Sequence, residues 1–268
     1  MKKNYLAILM ILIVIVIAGC SPNESGNVLE QDKLVVGMEL KYPPFETKDE
    51  NGTPIGASVD LAYALGEYLD MEIEISDTPY PSLIPSLTSG EIDIIISSMT
   101  ITPARAEKVD FSDPYTTSQL MLLVHKDSVV NSYEDLNDPE VTIVSKTGTI
   151  GALWAQDNAP NAVIKNVDEE ATAVLEVAQG KGDVFIYDPL SIIRHHENYP
   201  DSTRAILEPL PNTKGWGVAM QKDQDELKEK INEFLKEAKE DGTYDEIRDK
   251  HLKDKIKEFE AYGLDFFF

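Results

Sequence analysis

From Lys33 onward, short β-branched and apolar runs alternate with amphipathic stretches. That alternation is the pattern of an α/β chain with largely parallel sheets, because crossover helices must return each strand to the same end of its sheet. The pattern predicts strands at Lys33–Gly37, Met71–Ser76, Ile92–Ser97, Val141–Ser145, Ala162–Val167 and Asp183–Asp188. Helices are expected between them. Over Ala57–Leu69, Leu61, Ala64, Leu65 and Tyr68 share one face, and over Glu169–Ala178, Val174, Leu175 and Ala178 do the same. Two βαβ series therefore flank the apolar run Gln119–Lys126, read as a first crossover between two lobes, with Trp216–Gln221 as the return strand. Asp223–Glu240 is charged but carries the stripe Leu227, Ile231, Phe234, Leu235 and Ala238. It is expected to dock on the first lobe and to stop at Asp241-Gly242.

The N-terminus has a different pattern. Lys2 and Lys3 precede the unbroken apolar run Leu6–Ala18, too short for the roughly 20 residues of a bilayer span but suited to a secretory leader. It ends in Ile17-Ala18-Gly19-Cys20, which resembles a bacterial lipobox. Cys20 is the one cysteine of the chain, so no internal disulfide is possible and lipidation is its expected role. Residues 1–19 are then a lipoprotein signal peptide and residues 20–32, polar and poor in aromatics, a flexible tether.

With 48 acidic and 24 basic residues, the chain has a formal charge of −24, which excludes a phosphate-backbone partner. No GxxxxGK[ST] or GxGxxG loop supports nucleotide binding. His195-His196 lacks a partner at ligand spacing and is expected at the surface, so neither metal nor cofactor is expected. Ser145-Lys146 and Ser97-Ser98 lack the context of a catalytic serine.

What stands out is Ser97-Ser98-Met99-Thr100-Ile101-Thr102-Pro103-Ala104-Arg105, directly after the buried Ile92–Ile96 run. In open α/β sheets, ligands sit beyond the carboxyl ends of strands. Hydroxyls, helix-start amides and a guanidinium at that place match a carboxylate. Arg105 could instead pair with Glu107 or Asp110 below a Thr102 cap, with Pro103 in the first turn.

With these residues in view, the chain resembles the family 3 periplasmic amino-acid-binding proteins from Lys33 to Leu252. The matching stretches are Gly37–Glu46 (GMELKYPPFE), Gly56–Ala62, Leu83–Leu87, Ser98–Arg105, Val109–Tyr115 (VDFSDPY), Thr147–Thr149 and Asp241–Tyr244. The resemblance implies a two-lobed periplasmic-binding-protein fold of the Venus-flytrap, type II-like kind with two hinge strands. Lobe 1 would comprise residues 33–118 and 216–252, lobe 2 residues 119–215, and residues 253–268 a tail.

The resemblance further implies that Arg105, Thr100 and Ser98, beside Ser97, grip an α-carboxylate, with amides of Gly148 and Thr149 from the other lobe. Ile150 stands where a further hydroxyl is common. Asp188 would hold the α-ammonium, and Tyr42 and Tyr80 would flank the ligand side chain. Glu39 would lie near that side chain and meet a cationic group, or accept a hydrogen bond from a neutral ligand such as glutamine. The implied function is that of an extracytoplasmic, monomeric, lipid-anchored binding protein that delivers a polar amino acid to an ABC permease and its ATPase. A sensory module and a dehydratase-like enzyme are the alternatives on the same fold.

Overall fold

The structure, a computed structural model, describes residues 27–268 apart from 118, 212, 213 and 267. The leader and Cys20 lie outside the described residues. Strands β1 (Lys33–Met38), β4 (Glu72–Asp77) and β5 (Ile94–Ile95) run parallel in a first sheet of order β4-β1-β5-β12-β6. Strands β12 (Ala219–Met220) and β6 (Asp110–Phe111) complete it, with β12 antiparallel to both its neighbours. The short strands β2 (Thr47–Lys48) and β3 (Pro54–Ile55) pair separately. The second sheet has the order β11-β7-β10-β8-β9. In it β8 (Thr142–Lys146), β9 (Val163–Val167) and β10 (Val184–Tyr187) are parallel, while β7 (Met121–His125) is antiparallel to β10 and β11 (Thr203–Ile206).

Nine α-helices are described: α1 (Ala57–Leu69), α2 (Leu83–Ser89), α3 (Pro103–Ala106), α4 (Ile150–Asn158), α5 (Glu170–Ala178), α6 (Pro189–Asn198), α7 (Asp225–Glu240), α8 (Thr243–His251) and α9 (Lys253–Ala261). Helices cover both faces of each sheet, which is why inner strands such as β1, β7 and β10 read as nearly continuous apolar runs, whereas the edge strands β4 and β9 carry polar residues. In β7, Leu122 and Val124 enter one core cluster of the second lobe while Met121 and Leu123 enter the other. The run expected as a crossover is thus an inner strand of the second sheet. The chain crosses just before it. Tyr115 donates its backbone N–H to Trp216 O at 2.9 Å, and Trp216 donates to Thr116 O at 3.2 Å, so the outgoing and returning segments pair with each other.

Three expectations change in detail. On α5 the buried residues are Ala173, Val174 and Val177, and Leu175 is exposed, because the helix is turned to seat Ala173 and Val177 against β8 and β10. The polar stretch expected as tether as far as Asp32 is already ordered at Val28–Glu30, where Val28 is buried against the first lobe. The tail is also packed. Phe259 on α9 is 1% exposed, and the Phe268 ring lies 5.9 Å from Phe45 and 5.6 Å from Tyr244. By contrast, all five stripe residues of α7 are buried as the 3.6-residue period requires. No helix among the described residues is long and apolar enough to cross a membrane.

Candidate functional site

Four parallel strands, two from each sheet, point their carboxyl ends at the space between the lobes. Glu39 follows β1, Ser97 to Thr100 follow β5, Lys146 ends β8 and Asp188 follows β10. Glu39, Ser97, Ser98, Thr100 and Asp188, with Tyr42, Glu46, Tyr80, Leu120, Thr149, Ile150, Tyr187 and Trp216, line a cavity of about 50 Å³, Lys146 meeting it through Glu39. A larger groove of about 460 Å³, lined among others by Asp60, Tyr68 and Glu246, lies on α1, α7 and α8 and borders none of the sequence-predicted site residues. The cavity at the strand ends carries the chemistry.

On the first lobe, β5 is followed by a sharp turn in which Ser98 has φ +47°, a left-handed conformation that costs a non-glycine residue about 1–3 kcal/mol. The turn directs hydroxyls inward. Ser97 Oγ accepts the Glu39 backbone N–H at 3.0 Å, and Ser98 Oγ donates to Glu46 Oε2 at 3.0 Å. Thr102 caps α3 by accepting the Arg105 backbone N–H at 3.2 Å, with Pro103 in the first turn. That local capping is as expected, but the alternative pairing of Arg105 with Glu107 or Asp110 is absent. Its buried guanidinium donates to Thr100 O at 2.5 Å, to Tyr80 Oη at 3.2 Å and, across the cleft, to Gly148 O at 2.9 Å.

On the second lobe, Gly148 takes φ +77°, which a side chain would oppose, and turns the chain from β8 into α4. Gly151 lets α4 press on β10: a Cβ there would stand 2.3 Å from Ile186 O. This close approach holds Thr149 and Ile150 beside Asp188 at the cavity wall. Gly148 faces Arg105 with its carbonyl. The Thr149 N–H and hydroxyl both turn back to Lys146 O, at 3.2 and 2.8 Å, so of the two amides expected to bind a carboxylate, that of Thr149 is engaged within its own lobe.

Asp188 caps α6, its Oδ1 accepting the Ser191 N–H at 3.0 Å, while its buried Oδ2 has no hydrogen bond of good geometry, although the Tyr42 hydroxyl is near enough to favour the ionised carboxyl. Burial and the nearby Glu170 push its carboxyl above the ordinary value, against the opposing Ser191 amide. An ammonium group at Oδ2 would relieve that cost. Tyr42 packs against Phe45, Tyr187 and Trp216, with its hydroxyl lacking a geometric partner, and Tyr80 spans Glu39 and Arg105.

Two buried charged residues of the cleft were not among the sequence-predicted ligand-binding residues. Lys146, 3% exposed, places its ammonium on Glu39 Oε2 and 5.9 Å from the Tyr80 ring centre. Glu39 is 6% exposed and also accepts the Tyr80 N–H at 3.2 Å. The other is Glu46, 1% exposed, whose carboxyl is pushed up to about 8 by burial, reinforced by Glu39 and opposed by the Ser58 and Ser98 hydroxyls and by Lys146. Both border stretches that carried the resemblance. For Lys146, a charged residue at the carboxyl end of a buried strand was the available signal; Glu46 precedes the short strand β2 and had no such signal.

His195 is not at the surface as expected. It is partly buried, with Nε2 2.5 Å from Glu170, which also meets Arg194 at 2.7 Å; Arg194 in turn donates to Pro43 O of the first lobe at 3.3 Å. Burial would raise the Glu170 carboxyl, but His195 and Arg194 outweigh it and hold the group low. No group of three or more metal-capable side chains occurs among the described residues.

The model of the bacterial extracellular solute-binding proteins, family 3, matches residues 34–254. The chain is 31% identical over 253 residues to the arginine-binding extracellular protein ArtP of Bacillus subtilis (strain 168), covering 93% of this chain and 98% of that one. Among solved structures, it is similar to the ancestral amino acid-binding protein AncCDT-1, a precursor of cyclohexadienyl dehydratase, at 36% identity and a TM-score of 0.73, over 84% and 96% of the two chains. It is also similar to an ancestral arginine-binding protein bound to glutamine, at 33% identity and a TM-score of 0.73, over 83% and 98%. Two lobes joined by paired crossing segments, strand ends converging on one cleft and a match across most of the sequence lead to one conclusion: the chain belongs to the bacterial extracellular solute-binding proteins of family 3.

Proposed function

We propose that this chain is the extracytoplasmic binding protein of an ABC importer and carries an L-α-amino acid whose side chain is neutral and hydrogen-bonding, glutamine foremost. The zwitterion has a complementary pair in Arg105 and Asp188, with Oδ2 of Asp188 buried and without a hydrogen bond of good geometry. The observation that selects the side chain is the pairing of Glu39 with Lys146 inside the cleft. The sequence alone left Glu39 open to a cationic ligand. With Lys146 on it, that carboxylate is already neutralised, and a second cation would meet an ammonium in a medium that screens poorly. A carboxamide suits the pair better, since its NH₂ can donate to Glu39 while its carbonyl accepts from Lys146.

The relatives reported above are binding proteins by name, which supports carriage without turnover. Titration calorimetry at pH 7 tests the reading: glutamine is expected to bind more tightly than arginine or lysine. Tight arginine or lysine binding with none of glutamine would overturn the side-chain assignment.

Cys20 is proposed as the lipidated N-terminus of the mature protein on the outer face of the membrane, since acyl chains added there would anchor it. Cys20→Ala is expected to abolish incorporation of labelled palmitate and release the protein from membranes. Undiminished labelling would refute the anchor.

A further inference from the structure

The amino-acid reading of the cleft leaves one buried acid of the cavity wall unused. Glu46 closes the stretch Tyr42–Glu46 and lines the same cavity as Glu39 and Asp188. Its hydrogen-bond donors are hydroxyls, Ser98 Oγ at 3.0 Å and Ser97 Oγ at 3.5 Å, and no cation of the described residues forms an ion pair with it. A buried carboxylate without a cation is costly and is normally kept neutral by a proton. The other charges of the site balance without it, Arg105 and Lys146 against Glu39 and Asp188. A bound neutral zwitterion preserves that balance. A ligand with one further positive charge does not.

We propose that Glu46 is a specificity-determining residue that matches the charge of the cleft to its ligand, holding a proton when the bound amino acid is neutral and releasing it to solvent when the bound amino acid is cationic. The inference rests on the amino-acid reading given above. The groups acting on Glu46 come from every side: Glu39 from β1, Lys146 from β8, Ser58 from α1, Ser97 and Ser98 from the turn after β5, Tyr80 from the segment before α2 and Tyr115 from the outgoing crossing segment. Of these only Lys146 is cationic, and it is already held by Glu39. The position of the Glu46 carboxyl near 8 puts the release within reach of ordinary pH. The two serine hydroxyls can donate to the ionised form, so the group need not move to change state.

The experiment is calorimetric titration of the protein with L-arginine and, separately, L-glutamine between pH 6 and 9, in two buffers of different ionisation enthalpy. Asp188 must be ionised to hold any α-ammonium, so its titration acts on both ligands alike and cancels in their affinity ratio. The expected result is an arginine-to-glutamine ratio that rises about tenfold per pH unit across the range, with about one proton released per arginine well below pH 8 and about one taken up per glutamine well above it. In Glu46→Gln, which retains shape but cannot ionise, the ratio is expected to lose its pH dependence. Glutamine binding in wild type with a pH-independent ratio, or arginine binding at pH 6 without proton release, overturns the role of Glu46 and leaves the amino-acid reading standing. Absence of binding by both ligands overturns the two together.

Discussion

The Lys146 ammonium meets the Glu39 carboxylate across the cleft, each residue standing at the carboxyl end of a parallel strand in a different sheet, with side chains 3% and 7% exposed. The pair ties the two lobes together and, on the proposed function, presents a ready-made dipole to a ligand side chain. Its electrostatic reach is long because little water surrounds it.

Removing one member separates these roles. Lys146→Met leaves Glu39 buried without a partner, a change that typically costs about 3–5 kcal/mol. The variant is expected to unfold at lower denaturant and to gain arginine affinity relative to glutamine, since Glu39 is then free to meet a cation. Chemical denaturation and competitive titration check both. An unchanged arginine-to-glutamine ratio would count against the pair as the selector.

Arg105→Ala and Asp188→Asn each leave one end of the zwitterion unmatched in a closed cleft. Losses of about 2–5 kcal/mol in binding are expected, a factor of tens to thousands in dissociation constant. Asp188→Asn keeps a side-chain oxygen to cap α6 through Ser191, so its fold is expected to hold. Circular dichroism beside calorimetry distinguishes lost binding from lost structure.

Glu46 links stability to pH with a definite sign. Its carboxyl is raised from 4.5 to about 8 in the folded chain, so between those values the native state keeps a proton that the unfolded chain has released. Stability contributed by this group therefore falls as pH rises through that window and is level on either side. Glu46→Gln is expected to flatten the denaturation midpoint between pH 5 and 8, measured as its difference from wild type so that other groups cancel. A parallel pH profile in the two proteins would contradict the burial of the charge.

Phe259 anchors the last helix to the first lobe, with its ring 4.9 Å from Phe266. Phe259→Ala is expected to cost about 3–5 kcal/mol by loss of buried area and a residual cavity. If the thermal midpoint were unchanged, α9 would contribute nothing to the fold.

Much was legible before any coordinates. The strands Lys33–Gly37, Val141–Ser145 and Asp183–Asp188 were recoverable because residues buried on both faces of a sheet must be apolar without interruption. The α7 stripe followed from helical period; Arg105 was singled out in the hydroxyl-rich run after a buried strand, and Asp188 by the family resemblance. The facing of α5 was missed by one position, since Val174, Leu175 and Ala178 fit the period as well as Ala173, Val174 and Val177. Periodicity gives the existence of an apolar face but only neighbouring elements select among near-equal ones.

The sequence by itself determined the alternation of strands and helices, the acidic character and the hydroxyl-rich turn after β5, because each rests on residues close along the chain. Only the tertiary structure decided what Glu39 and Glu46 meet. Lys146 is 107 positions from Glu39, and Ser98 is 52 from Glu46. Whether a carboxylate in the cleft is free, paired or protonated depends on which charges folding brings within a few ångströms and on how much water it removes. Neither quantity has a local signature, so the charge state that sets ligand choice appears only when the two lobes face each other.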